Sequence, residues 1–314
     1  MPSQIHLTKL FRLFVLLPFV GAVWSCEEPV DLDLQALEPE LVVSSAFFPG
    51  ETVKVRLSST FPAVGEQVLT DITDATVSIL EGNDVAEVLR YVPGTDGAMG
   101  SYQSRDFIPV VGRTYTLYAT KNGYLPFEAA SSIPEPVAIS DLTVSNVHER
   151  MIGGLSVFDF DLTINYDDPD FEANYYDLRI SQIVQPYYIN AQGDTVKLAF
   201  TAKTLETPDV DPTTNTAPGE TSILVRDRPE AGGLTISLQS RYNPTNEILL
   251  DLVAELRTVS ENYFDYQVLR QREGMALPIG IGDPGVSSFS QRSNRGVGVF
   301  AGYNRVIRTF SLHQ

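Results

Sequence analysis

In VFDFDLTINY, residues 157–166, Phe158, Phe160, Leu162 and Ile164 alternate with Asp159, Asp161, Thr163 and Asn165. A strand places every second side chain on one face, whereas a helix would scatter this pattern around its surface. The same period of two recurs along the chain. In TVKVRLSS, Val53, Val55 and Leu57 alternate with Lys54 and Arg56, and DATVSILEG sets Val77 and Ile79 on one face. GRTYTLYAT opposes Tyr115, Leu117 and Ala119 to Thr114, Thr116 and Tyr118, and NYYDLRIS aligns Tyr176, Leu178 and Ile180. Residues that tolerate positive φ punctuate these runs: Gly82-Asn83, Asn122-Gly123 and Gly193-Asp194. Short alternating strands joined by such turns predict a mainly β chain built from β-sandwich-like domains.

One helix is expected. After the strand-like ILLDLVAELRTV, Ser260 is a suitable N-cap and Glu261 offsets the dipole in the first turn. Tyr263, Phe264, Gln267 and Val268 follow at helical spacing, Arg270 and Arg272 sit in the last turn, and Gly274 ends it. The glycines of GVGVFAGYN, Gly296, Gly298 and Gly302, indicate a bulge or a close backbone approach.

The proline-rich SSIPEPVAIS, residues 131–140, suits a stiff connector rather than a central strand. It divides the fold into an N-terminal sandwich, 40–135, and a C-terminal β-rich domain, 136–314, which carries the helix. The polar segments 201–221 and 282–295 are candidate contact loops.

Residues 1–25 stand apart. Lys9 and Arg12 precede an apolar run, Leu13–Val23, of signal-peptide length and well short of the roughly 20 residues a spanning helix needs. Val23-Trp24-Ser25 then leads to Cys26, the single cysteine, in a pattern like that of a bacterial lipobox. Cys26 is the expected lipidation site, and 26–39 is an acidic tether. A sulfur used for lipid leaves none for a disulfide or a thiolate metal site. The 22 basic and 40 acidic residues argue against nucleic acid as a partner.

Catalytic signals are weak. His148 is the one histidine between the leader and the C-terminal end, and NVHERMIGG reads as a polar turn around it. Asp167, Asp168 and Asp170, with Glu172, crowd into YDDPDFE. Calcium would accept several oxygens on such a loop. The other reading is a turn whose carboxylates bond nearby amides. Apart from calcium no cofactor is expected. Tyr175-Tyr176 and Tyr187-Tyr188 each place one ring inward and one outward, where it could stack on a ligand.

Several segments together resemble the Bacteroidota lipoprotein family called domain of unknown function 4249. They are CEEPVDLDL, ELVVSSAFF, GSYQSRDFIPVVGRTYTLYATKNGY, IPEP, INYDDPDFEANYYDLRI, SENYFDYQ and SNRGVGVFAGYN. The resemblance implies an outer-membrane lipoprotein whose first domain is an immunoglobulin-like or carboxypeptidase-regulatory-like sandwich. It also implies a TonB-dependent transporter as neighbour, and it supplies no catalytic residues. The resulting expectation is a non-enzymatic accessory subunit of nutrient uptake, on the cell surface or the periplasmic face. The alternatives are an extracellular hydrolase using two carboxylates, or a surface adhesin.

Overall fold

The alternating runs become strands whose apolar sides close two sandwich-like cores. In a computed structural model the described residues are 40–59, 71–95, 98–169, 173–205, 207, 222–226, 233–272 and 297–312. The leader, Cys26, the tether, Asp170 and the segment 282–295 lie outside them.

In the N-terminal part, one layer holds β1 (Leu41–Phe47), β2 (Lys54–Ser59), β6 (Ser101–Gln103) and β5 (Arg90–Val92). The facing layer runs in the order β4 (Asp84–Val88), β3 (Thr76–Glu81), β7 (Thr114–Thr120), β8 (Phe127–Ser132). Val55, Val77, Ile79, Leu117 and Phe127 are completely buried between them.

The C-terminal part repeats this arrangement with longer strands. Its three-stranded layer is β15 (Leu234–Tyr242), β10 (Leu155–Tyr166) and β9 (Ile139–Ile152). The other layer centres on β11 (Tyr175–Ile189) and β16 (Glu247–Val259). The short strands β12 (Thr195–Lys197), β13 (Thr201–Thr204) and β14 (Ser222–Arg226) pair with β11. Phe158, Phe160, Leu162 and Ile164 pack on Tyr176, Leu178 and Ile180, as their alternation predicts. The chain is therefore mainly β, with a single helix among the described residues, α1 (Glu261–Arg272). Its cap is as expected: Ser260 Oγ accepts from Tyr263 N at 3.4 Å and Ser260 O from Phe264 N at 3.1 Å.

The last strand, β17 (Val297–Phe310), belongs to both parts. Its first half runs parallel to β1, Val42 opposite Val297 and Phe47 opposite Gly302. Its second half runs antiparallel to β16, from Tyr303 opposite Val259 to Phe310 opposite Leu252. A ten-stranded sheet results, continuous across residue 135. Phe300 fills the N-terminal core, stacked on Phe47 at 4.5 Å. Two glycines allow the passage. Gly298 has φ +114°, and a Cβ there would collide with the Val43 backbone; one at Gly302 would collide with the Ser132 carbonyl.

The connector is held as firmly as the strand. Gly302 N donates to Ser131 Oγ (3.0 Å), Asn304 Nδ2 to Pro134 O (3.2 Å) and Val137 N to Thr258 Oγ1 (3.1 Å). Asn262 Nδ2, on α1, reaches Ala130 O at 3.3 Å. Residues Glu38–Gln314 accordingly form one compact unit.

Candidate interaction surface

The sheet β11–β16–β17 has two faces, and strand alternation sends opposite residue types to each. Tyr176, Leu178 and Leu256 enter the core, so Asp177, Arg179, Glu255 and Arg257 point the other way, where α1 covers part of the sheet. Asp177 pairs across the sheet with Arg257, and Arg257 with Arg305. Asp177 and Tyr263 are both wholly buried.

Every polar atom at the centre of this cluster has a partner. Asp177 Oδ2 accepts from Tyr263 Oη (2.7 Å) and Arg179 Nε (2.9 Å), and Asp177 Oδ1 from Ser222 Oγ (2.7 Å). Tyr263 Oη in turn accepts from Arg179 Nη2 (3.1 Å) and Arg257 Nη1 (3.0 Å). Arg257 Nε donates to Glu255 at 2.6 Å, and its guanidinium lies 4.7 Å from the Tyr303 ring centre. Burial alone would raise the Asp177 pKa. Arg179, Arg257 and the Ser222 and Tyr263 hydroxyls outweigh it and hold the carboxyl below its ordinary value. Burial, with Asp177 adding to it, pushes the Tyr263 phenol up to about 12. A carboxylate and a phenol locked in this way do not exchange protons near neutrality. The cluster is a clamp that fixes α1 to the sheet.

The accessible feature lies at the far end of the C-terminal sandwich. β9 and β10 are joined at Gly153-Gly154, both with positive φ, and Met151, Ile152 and Leu155 project from that tip. Ser156 pairs with Tyr242, and residues 243–246 turn into β16, where Glu247 pairs with Pro186. Tyr187 binds this turn, its N to Asn246 O at 2.7 Å and its Oη to Pro244 O at 3.1 Å. The β11–β12 hairpin is thereby brought to the same end, with Tyr188, Ile189, Leu198 and Phe200 exposed. Phe200 is 66% and Met151 61% exposed, unusual for such side chains in strand-rich surroundings. The chain enters β1 beside Val297, at the opposite end of β17, a contour of about 40 Å from Phe310.

The outer face of the three-stranded layer is polar and internally paired. Thr163 and Thr235 hydroxyls lie 3.0 Å apart, Asp161 accepts from Asn146 and Ser237 at 2.7 Å, and Asp159 from Gln239 at 2.6 Å and from Arg150. The hydrogen bonds from Asn146 and Ser237 lower the Asp161 pKa. Asn146, at φ +53°, is a bulge in the edge strand β9, a device that discourages further strand pairing.

The residues singled out from sequence separate. His148 is exposed within β9 rather than in a turn; the turn comes later, at Gly153-Gly154. Asp168 Oδ1 accepts from Tyr176 Oη and, at 3.3 Å, from Asn174 Nδ2, while Asp167 is exposed and its N donates to Ala138 O at 3.1 Å. These are turn contacts; Asp170, the third proposed calcium ligand, is outside the described residues. Among the described residues no three His, Cys, Asp or Glu side chains gather to hold a metal ion. Tyr176 is in the core and Tyr188 outside, as alternation requires, but Tyr175 lies under α1, 5.1 Å from Phe264. Within 201–221, Thr201–Thr204 forms β13 instead of loop. The Asp177 clamp was not foreseen. Its signal was there, as D-x-R in NYYDLRIS and E-x-R in VAELRTV, but charges at alternate strand positions ordinarily mark a solvated face.

Among the described residues no helix is long and apolar enough to cross a membrane, a statement that does not bear on strands. The family model described as "Domain of unknown function (DUF4249)" matches residues 27–308, and the chain belongs to that family. No curated protein matches it. Among solved structures it is similar to "Three N-terminal domains of the bacteriophage RB49 Highly Immunogenic Outer Capsid protein (Hoc)" at 10% identity. That alignment covers 85% of this chain and 69% of the other, with a TM-score of 0.21.

Proposed function

We propose that this protein is a lipid-anchored outer-membrane lipoprotein that works by binding, as an accessory subunit of a TonB-dependent uptake system. Lipid on Cys26 confines it to the membrane plane and raises its effective concentration near an integral partner. The observation that carries the binding reading is the gathering of Met151, Ile152, Tyr188, Ile189 and Phe200 at one end of a pinned pair of sandwiches. Water-exposed aromatic and aliphatic side chains of this kind are what a protein partner covers. The shared strand β17 and the bonded connector keep that end at a fixed distance from the point where the chain enters the fold. A rigid arm of this type suits docking to an integral transporter better than enclosing a small substrate.

The anchor and the partner are tested together. Native protein is purified in mild detergent beside a Cys26→Ser variant, and co-purifying outer-membrane proteins are identified by mass. The proposal expects lipid mass on Cys26, a TonB-dependent transporter with the native form, and loss of both in the variant. An unmodified Cys26, or a variant that still sediments with envelopes and keeps the transporter, would overturn it.

A further inference from the structure

A second surface lies on the N-terminal sandwich, away from the tips. A shallow groove of about 400 Å³ runs beside β4, lined by Ala86, Glu87, Val88, Arg90, Arg105 and Phe107, with Asp106 at its rim. β4 ends its sheet, and its residues are almost all exposed. Leu89 N donates inward to Val77 O at 2.8 Å. Successive N–H groups of a strand alternate in direction, so Val88 N–H points outward, where it has no partner among the described residues. An edge of this kind is a template for another strand.

The opposite wall of the groove is built in advance. The Glu87 carboxylate accepts from the backbone N–H groups of Arg105 (2.7 Å), Asp106 (3.1 Å) and Phe107 (2.6 Å). Burial would raise its pKa, but these three donors prevail and lower it. Phe107 is in turn held edge-on against Tyr115 at 5.1 Å. The nest of N–H groups is thus filled from within, and the loop stands fixed beside β4.

The chemistry of the lining points to one class of occupant. In a chain of net charge −18, Arg90 makes no ion pair among the described residues, and Arg105 meets only Asp106, at 3.9 Å. Val85, Val88, Ile108 and Val110 are exposed nearby. We infer that the open edge of β4 takes an extended acidic segment of a partner protein by strand addition. Backbone hydrogen bonds supply the pairing, the valines and Ile108 take its apolar residues, and Arg90 and Arg105 its carboxylates.

The probe is a capped, fluorescent heptapeptide of alternating valine and glutamate, titrated into the full mature chain and followed by anisotropy. It should bind at least tenfold more tightly than its valine–lysine counterpart. Methylating alternate backbone nitrogens of the probe should abolish binding, because the charge remains but the ladder is lost. Arg90→Glu with Arg105→Glu should reverse the preference between the two peptides at an unchanged melting temperature. Variants of the distal tips should bind the probe as the native chain does, which separates this site from the docking end. Equal binding of the lysine peptide, undiminished binding of the methylated probe, or indifference to the double charge reversal would each overturn the inference.

Discussion

The N-terminal sandwich keeps its formal charges at the rim, whereas the C-terminal sandwich buries them. Arg113–Glu81 and Lys121–Asp74 are surface pairs on the first, and Asp71, its most enclosed carboxylate with a resolved partner, accepts from Tyr91 Oη at 2.8 Å while still part-exposed. In the second, Asp177 is wholly buried with Arg179 and Arg257 around it. The difference follows from layering. A two-layer sandwich leaves the outer face of each sheet to water, so its polar stripe can remain solvated. Adding α1 over β11, β16 and β17 covers that stripe, and every charge on it must then find a partner or be replaced. Surface pairs add little to stability, whereas cutting one member out of a buried network leaves the others desolvated and unmatched.

Substitutions can break this contrast. The largest effect is expected from Asp177→Ala, which strands Arg179 and Arg257; the loss should be about 3–5 kcal/mol by urea unfolding. Leu117→Ala, in the fully apolar N-terminal core, should cost about 2–5 kcal/mol through the cavity it leaves. The two should differ in pH dependence. The Asp177 pKa is depressed in the fold, so its contribution is present above the ordinary aspartate value and is lost as pH falls below it. The stability gap between native and Asp177→Ala protein should therefore shrink in acid, while that for Leu117→Ala stays constant. A pH-independent Asp177→Ala gap would remove the clamp from the account.

Tyr263→Phe should cost about 1–3 kcal/mol, since two arginine donors and one carboxylate lose the same hydroxyl. The phenol's pKa is raised in the fold, so its contribution holds below the ordinary value of 10 and fades as pH rises toward about 12. Alkaline titration of unfolding should show this loss in the native chain and not in the variant. The smallest effect belongs to Glu81→Ala on the N-terminal rim, which should leave the urea midpoint unmoved.

Much of this fold is written locally. The alternation of Phe158 to Ile164, the Gly82 and Gly123 turns and the Ser260 cap are settled by neighbours within a few residues, and each element formed where expected. The parallel pairing of β1 with β17 is different. It joins residues some 255 positions apart, and nothing in VVSSAF names GVFAG as its neighbour. Gly298 and Gly302 announced a close approach without saying to what. The clamp was illegible for a related reason: Asp177 and Arg257 look like surface residues until the helix that covers them is placed. The exposed tip is a property of tertiary arrangement too, because Tyr188 and Met151 meet at one end only through the 243–246 turn. Chemistry-bearing motifs gave least, since the carboxylates of YDDPDFE that are described are engaged in their own turn.

The docking role of that end is tested most directly by one comparison. Tyr188→Ser, Ile189→Ser and Phe200→Ser are combined in the native, lipid-bearing protein, and recovery of the outer-membrane transporter from mild detergent is measured against the unsubstituted form. These side chains are exposed, so the melting temperature should hold, while transporter recovery should fall at least tenfold. Undiminished recovery with an intact fold would contradict the account.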